Sequence, residues 1–439
     1  MKKYKVTPLF KEKILQYALS CDTFLALDSA QINYPKGAFR NFFAFGNDNS
    51  LVAQAQMTDF FEALADFQAQ AAKRQRWILG YLGYDLKNQV ETFLKSQNPD
   101  ALEMPDGFFF EPTYLIEWLP ESQEVVFLQG ENPKQVLKEI ESINPNSHKK
   151  NVTFSEAKKQ TIQPTTTRQA YEAQVEKLKK HIEEGDIYEI NYCIEFLIKK
   201  LDLKEENCIE LFSLLSQYAP MPFSAYLKWQ DFFVLCASPE RFLKKEGRRL
   251  ISQPIKGTIR RGKNAEEDEI LKKYLKENEK ERAENMMIVD LVRNDLARSA
   301  TIGTTAVTEL FGVYTFKQLH QMISTVEAEL SRDCPWVDAL RQAFPMGSMT
   351  GAPKIRAMQL IEDYEKQKRG LYSGAVGFIS PEEDFDFNVV IRTFLYNKKK
   401  KLGSFQVGSA ITIDALPEKE WEECLLKAET WRKLISIYI

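Results

Sequence analysis

Apolar positions along the chain follow two periods, and the change from one to the other marks out the elements. Helical spacing appears at Tyr171, Val175, Leu178 and Ile182, with Gly185 placed to stop that helix. Apolar runs at 77–84, 124–128 and 231–237 predict strands, and the last of them delivers Ser238, Pro239 and Glu240 at its end. A further strand is predicted over 247–252. Residues 266–296 predict one or two charged helices, with Met287, Ile288 and Leu291 in the buried stripe and Glu284 one turn earlier on the same face. Segments 373–380, 385–394 and 404–413 read as strands, 398–401 with Gly403 as a solvated hairpin turn, and a last helix begins near Glu418. Helices and strands do not alternate strictly, which predicts an α+β fold with mainly antiparallel sheets.

The stretch from about 130 to 167 is polar and carries Pro133, Pro145 and Pro164. It reads as a connector between an N-terminal region, 1–150, that packs on the rest and a catalytic region, 165–439. With 439 residues, 44% of them hydrophobic, the chain can bury a large core. A net charge of −3 gives no electrostatic case for nucleic acid. No apolar run is long enough for a leader or a membrane span. The six cysteines are scattered with no C-x-x-C pair, which fits reduced thiols in the cytoplasm. Three histidines leave little room for a His-rich metal centre.

Chemistry concentrates in the C-terminal region. Lys256 stands in Gln253-Pro-Ile-Lys-Gly-Thr258, read as a turn of apolar and small residues whose lysine is either solvated at the surface or held in apolar surroundings. Desolvation there disfavours the ammonium and predicts a lowered pKa, the property of a nucleophilic amine. The segment 344–354 suggests a phosphate loop but fails the pattern: three residues separate Gly347 from Gly351, and Pro353 precedes Lys354. Glycines ahead of a helix, with Ile355, Met358 and Ile361 as its apolar face, still leave backbone N–H groups for an anion, or else form a plain loop-to-helix joint. Glu420 and Glu423 share one helix face, which taken alone reads as a solvated face, and with Glu284 they offer the oxygen-only ligands that suit Mg²⁺. Arg392, in an apolar strand, either reaches out from an edge or pairs with a carboxylate. Gly408-Ser-Ala410 is a small-residue run that permits close approach of a ligand or another backbone.

Taken together, these segments resemble the chorismate-utilising enzymes, a family that includes anthranilate, aminodeoxychorismate and isochorismate synthases. The matching pieces run in the family's order: Gly185-Asp-Ile-Tyr-Glu-Ile-Asn191, Ser238-Pro-Glu-Arg-Phe242, Pro254-Ile-Lys-Gly-Thr258, 284–295, Gly347-Ser-Met-Thr-Gly-Ala-Pro-Lys354, Tyr372-Ser-Gly-Ala-Val-Gly377 and Ile391-Arg-Thr393. The resemblance implies two stacked antiparallel sheets flanked by helices, with the site between them. Pro-Ile-Lys-Gly-Thr resembles the aminodeoxychorismate synthase branch, since anthranilate synthases carry alanine at the lysine. It implies Lys256 as covalent nucleophile and Glu240 as general acid with a pKa raised by burial. It also implies Mg²⁺ on Glu284 and Glu423 with Glu420 close by. Tyr372 and Arg392 fall where one chorismate carboxylate is held, and the Gly408 and Ser409 backbone where the other is. Gly351 and Lys354 belong to the glycine-rich segment assigned to substrate, and Thr350 and His320 fall at active-site positions.

Two departures qualify the resemblance. Glu189 stands where nitrogen-using members usually have glutamine and water-using ones lysine. That argues against isochorismate synthesis and leaves Glu189 without a role. Leu27-Asp-Ser-Ala30 is a loose echo of a tryptophan-binding segment, and tight-turn chemistry explains it equally well. No Gly-x-Cys-x-Gly nucleophile turn is present, which implies ammonia from a separate glutamine amidotransferase subunit. The alternatives are anthranilate synthase component I, opposed by Lys256, and a catalytically silent regulatory subunit, opposed by the competence of every presumptive catalytic position.

Overall fold

The computed structural model describes residues 2–54, 57–145 and 156–439. Most strands are apolar on both faces because each sheet is covered twice. In Thr23–Asp28, Leu25 and Leu27 enter the core between the sheets, while Phe24 and Ala26 face a second core under the outer helices. In Ile78–Leu82, Leu79 and Tyr81 point between the sheets and Ile78 and Leu82 outward. The result is four layers, helix–sheet–sheet–helix, with three apolar cores between them.

Among the described residues the first sheet has eleven strands, in the order Lys3–Lys5, Glu124–Gln129, Tyr114–Leu119, Phe42–Phe45, Thr23–Asp28, Phe223–Trp229, Phe232–Ser238, Thr393–Asn397, Leu402–Ile411, Glu189–Lys199 and Gly351–Ala352. The second has ten and includes Ile255–Arg260, Leu319–Glu329, Arg249–Gln253, Arg241–Glu246, Phe385–Asn388, Ala375–Ile379 and Ile78–Leu82. All strand pairs are antiparallel, as the α+β reading expects. Strands from before and after the predicted connector lie in both sheets.

Several elements differ from expectation. The polar stretch 130–167 contains two helices, Pro133–Glu141 and Glu156–Thr161, and its residues 146–155 lie outside the described ones. The first of these helices buries only Val136 and Ile140, too narrow a stripe to stand out from a polar background. The charged segment forms two helices, Ala265–Glu277 and Glu279–Ala297. The stripe of the second is Ile288, Val289, Val292 and Leu296, with Met287 and Leu291 only half-buried beside it. Ile355 is exposed, so Ala357, Met358, Leu360 and Ile361 form the buried face of Lys354–Tyr364. The expected strand 385–394 is two strands in different sheets.

Candidate active site

Two crossings between the sheets meet at the centre of the molecule. The chain leaves Phe232–Ser238 in the first sheet, passes Pro239 and Glu240, and enters Arg241–Glu246 in the second. It returns from Phe385–Asn388 to Thr393–Asn397 through 389–392. The crossings are stitched together: Val389 N–H donates to the Glu240 carbonyl at 3.0 Å, and Ala237 N–H to that of Arg392 at 3.2 Å. Arg392 therefore sits in a break and not in a strand, with φ +51°. It neither reaches out from an edge nor pairs with a carboxylate. Its guanidinium donates to Met221 Sδ at 3.5 Å, and no ion pair forms among the described residues. Burial without a counter-ion lowers it to about 10. Such a cation is suited to an anionic ligand.

Glu240 is 5% exposed, and its Oε1 accepts from Ser348 Oγ at 2.6 Å. Burial pushes its carboxyl up to about 7, against the opposing pull of Ser348, Lys256 and the Ile255 N–H. This is the condition expected of a general acid near neutral pH.

Lys256 lies in the strand Ile255–Arg260, where the register slips between Ile255 and Thr258. Such a bulge re-aims side chains. Its Nζ donates to Glu189 Oε1 at 2.5 Å. Glu189 is 1% exposed, and its Oε2 has no hydrogen-bond partner. Burial alone lowers Lys256, as its apolar neighbours predict, but the carboxylates of Glu189, Glu284 and Glu423 outweigh it and hold the ammonium above the ordinary lysine value. The expected depressed pKa is therefore absent from the resting pair.

The remaining carboxylates stand round this ion pair. Glu284, on Glu279–Ala297, lies at the margin of the buried stripe, and burial raises it to about 7. Lys280 approaches it at 3.7 Å. On the helix Pro417–Ile435, Glu420 is buried and its carboxyl raised by burial, while Glu423 pairs with Lys427 at 2.7 Å. Lys427 Nζ also donates to the Gly408 carbonyl at 2.8 Å, and Ser409 Oγ bonds with Tyr171 OH at 2.7 Å. Gly408 and Ser409 pair with Cys193 and Tyr192 on one side, while the strand on their other side stops opposite Phe405. Glu284, Glu420 and Glu423 do not form a ready-made cluster of touching ligand atoms. The one such group among the described residues, His181, Glu184 and Asp186, lies elsewhere; there His181 and Arg356 bond to Asp186. Still, the donors in the cleft are all oxygens, and carboxylates crowd it: burial, with Glu189 and Glu281, raises Glu284 against the pull of Lys256 and Lys280. That surplus fits a hydrated Mg²⁺ shared with an anion.

The other predicted residues divide. Thr350 is buried, with Oγ1 donating to the Gly347 carbonyl at 3.2 Å. Gly351, with φ +149°, pairs with Ile190, and a Cβ there would lie 2.2 Å from the Glu189 carbonyl. This segment therefore holds Glu189 in place. Tyr372 is buried beside Cys193 and Arg369. Lys354 is not brought to the site, because its ammonium is committed to Asp295 at 3.0 Å and to the Ala343 carbonyl at 2.9 Å. Nor is His320, whose Nδ1 meets Thr315 and whose Nε2 meets Asp268, both at 2.9 Å. That ring ties the strand Leu319–Glu329 to the helix Ala265–Glu277. Ser348 was missed, since a bond spanning 108 residues leaves no local signal. Lys280 and Lys427 were missed as ordinary helix-surface lysines. At Asp28, the side chain accepts from Ala30 N–H and pairs with Lys11, the tight-turn geometry foreseen for Asp-Ser.

A family model described as chorismate binding enzyme matches residues 24–433. The chain belongs to the chorismate-binding enzymes. Among its relatives in this family, aminodeoxychorismate synthase component 1 of Bacillus subtilis is 33% identical over 381 residues, covering 85% of this chain and 78% of that protein. Anthranilate synthase component 1 of the same organism is also 33% identical, over 382 residues, covering 82% and 73%. The fold matches that of anthranilate synthase component I from Streptococcus pneumoniae, with TM-score 0.77 and 24% identity, over 91% of this chain and 93% of that one. Overall identity thus does not separate the two chorismate-binding activities. No helix among the described residues is long and apolar enough to cross a membrane.

Proposed function

We propose that the chain is the large subunit of an aminodeoxychorismate synthase, converting chorismate and ammonia to 4-amino-4-deoxychorismate on the route to para-aminobenzoate and folate. The observation that carries this reading is Lys256, an amine whose side chain is only 12% exposed, set among carboxylates at the position where the anthranilate branch has alanine. The amine attacks the ring at C2, the double bonds shift, and the C4 hydroxyl leaves with a proton from Glu240. Ammonia then forms the bond at C4 and expels the lysine. Arg392 and Tyr372 hold the enolpyruvyl carboxylate, and the Gly408–Ser409 backbone faces the other. Glu284 and Glu423, with Glu420 close by, would hold a Mg²⁺ ion, which when bound would supply positive charge for the ring carboxylate. A cytoplasmic glutamine amidotransferase subunit supplies ammonia to the heterodimer, in keeping with the "component 1" of the relative's name.

The test is to incubate the pure chain with chorismate, Mg²⁺ and ammonium and to identify the product by mass and absorbance. Aminodeoxychorismate is expected, at a rate that rises with pH as free ammonia becomes available. Glutamine alone should give none. Lys256→Ala should cost orders of magnitude, and Lys256→Arg should not restore activity because a guanidinium stays protonated. Anthranilate as the product would overturn the assignment.

A further inference from the structure

We propose that Glu189 is the proton acceptor for Lys256, taking the proton the ammonium must lose before its nitrogen can attack chorismate. The inference rests on the covalent reading of Lys256 given above. An ammonium has no lone pair, and the amine here is held in the charged form by its neighbours. The groups facing it from the packed elements are Glu189 at the start of Glu189–Lys199, Glu281 and Glu284 with Lys280 on one helix, Glu423 on another, and Glu240 at the crossing. Of these, only Glu189 is within hydrogen-bond distance among the described residues, at 2.5 Å. Its position is fixed by the pairing of Ala352 with Glu189 and by the close approach of Gly351 to its carbonyl. Its second oxygen is buried and unpartnered, so no competing donor stabilises the carboxylate there. A buried ion pair that closes further against water shifts towards the neutral pair, amine and carboxylic acid.

The steps balance. The Lys256 ammonium gives one proton to Glu189, and the freed pair of electrons forms the Nζ–C2 bond. The double bonds shift, the C4–O bond breaks, and the oxygen leaves as water with the Glu240 proton. In the second half ammonia bonds to C4 and the Nζ–C2 bond breaks, its electrons returning to nitrogen as a neutral amine. The Glu189 proton then restores the ammonium, and the excess proton on the new C4 amine returns to Glu240. The sum is chorismate plus ammonia giving aminodeoxychorismate plus water.

The experiment follows the covalent adduct by intact-protein mass spectrometry after mixing the whole chain with chorismate and Mg²⁺ without ammonia. Wild type, Glu189→Gln, Glu189→Asp and Lys256→Ala are compared across pH. If Glu189 only raises the lysine pKa, Glu189→Gln leaves more free amine and forms adduct at the wild-type rate or faster, and that result overturns the proposal. The expected result is the opposite: adduct formation slowed by ~10²–10⁴-fold near neutral pH and recovering as pH rises and solvent takes the proton. Glu189→Asp, which keeps a carboxylate at longer reach, should fall in between. It decides the matter if the glutamine variant does not fold, since an aspartate variant with faster adduct formation than wild type also overturns the proposal. Absence of adduct in the wild type marks failure of the covalent reading itself, and the Glu189 step falls with it. Adduct in the wild type with unchanged Glu189 variants marks failure of this step alone.

Discussion

Replacing Glu240 by glutamine should make the protein more resistant to alkaline unfolding while it loses activity. A carboxyl that titrates at about 7 in the fold and at the ordinary 4.5 in the unfolded chain binds more protons when folded between those values. Stability from this group is therefore full below about 4.5 and falls as pH rises through about 7. At about 1.4 kcal/mol per pH unit, the folded state gives up about 3 kcal/mol across that window. Glutamine does not titrate, and its carbonyl can still accept from Ser348. Any constant cost of its amide, which meets the Ile255 N–H less well than a carboxylate, shifts the whole curve and leaves its slope unchanged. The measurement is urea unfolding of both proteins at several pH values from about 5 to about 8. The wild-type curve should fall more steeply than that of Glu240→Gln by up to about 3 kcal/mol over the range. Glu284 titrates in the same window but is common to both, so the difference isolates Glu240. Activity with ammonium should drop by ~10²–10⁴-fold, the usual worth of a general acid. Parallel stability curves would refute the claim that burial holds this carboxyl neutral, and with it the basis for the acid role.

Glu284→Gln keeps the shape of a ligand and removes its charge; Mg²⁺ affinity, read from the metal dependence of activity, should weaken by at least about 100-fold, since even outer-sphere partners are worth 10–100-fold. Glu266→Gln, at an exposed first-turn position, should leave it unchanged. Gly351→Ala places a methyl group 2.2 Å from the Glu189 carbonyl at a φ that disfavours a side chain, so a loss of about 2–3 kcal/mol in unfolding free energy is expected, together with lost activity.

The antiparallel α+β class could be read from the order of helical and strand patterns, and Glu240 from its place at the end of an apolar strand. Arg392 shows what could not. Its run of apolar neighbours belongs to two strands in tandem, and because both faces of each sheet are buried, no alternation reveals where one ends. A positive φ at an arginine leaves no compositional trace either. Lys256 failed in the opposite way. Its local setting does lower its pKa, but the carboxylates that reverse the effect come from three distant elements. The resemblance implied His320 and Lys354 at the site, yet in this chain Asp268, Thr315 and Asp295 supply partners that hold them elsewhere. Local patterns foretell burial. They do not foretell which charges meet once buried.

The residues before the connector supply five strands of the first sheet and three of the second. A polypeptide begun at the connector would retain every group of the candidate site and yet leave two raw edges. Phe223–Trp229 would lack its Thr23–Asp28 neighbour, and Ala375–Ile379 its Ile78–Leu82 neighbour. Unpaired central strands of this kind, apolar on both faces, recruit other copies of themselves into aggregates. Gene fragments cut at this point are therefore better expressed together than apart, each half acting as the template on which the other completes its sheets.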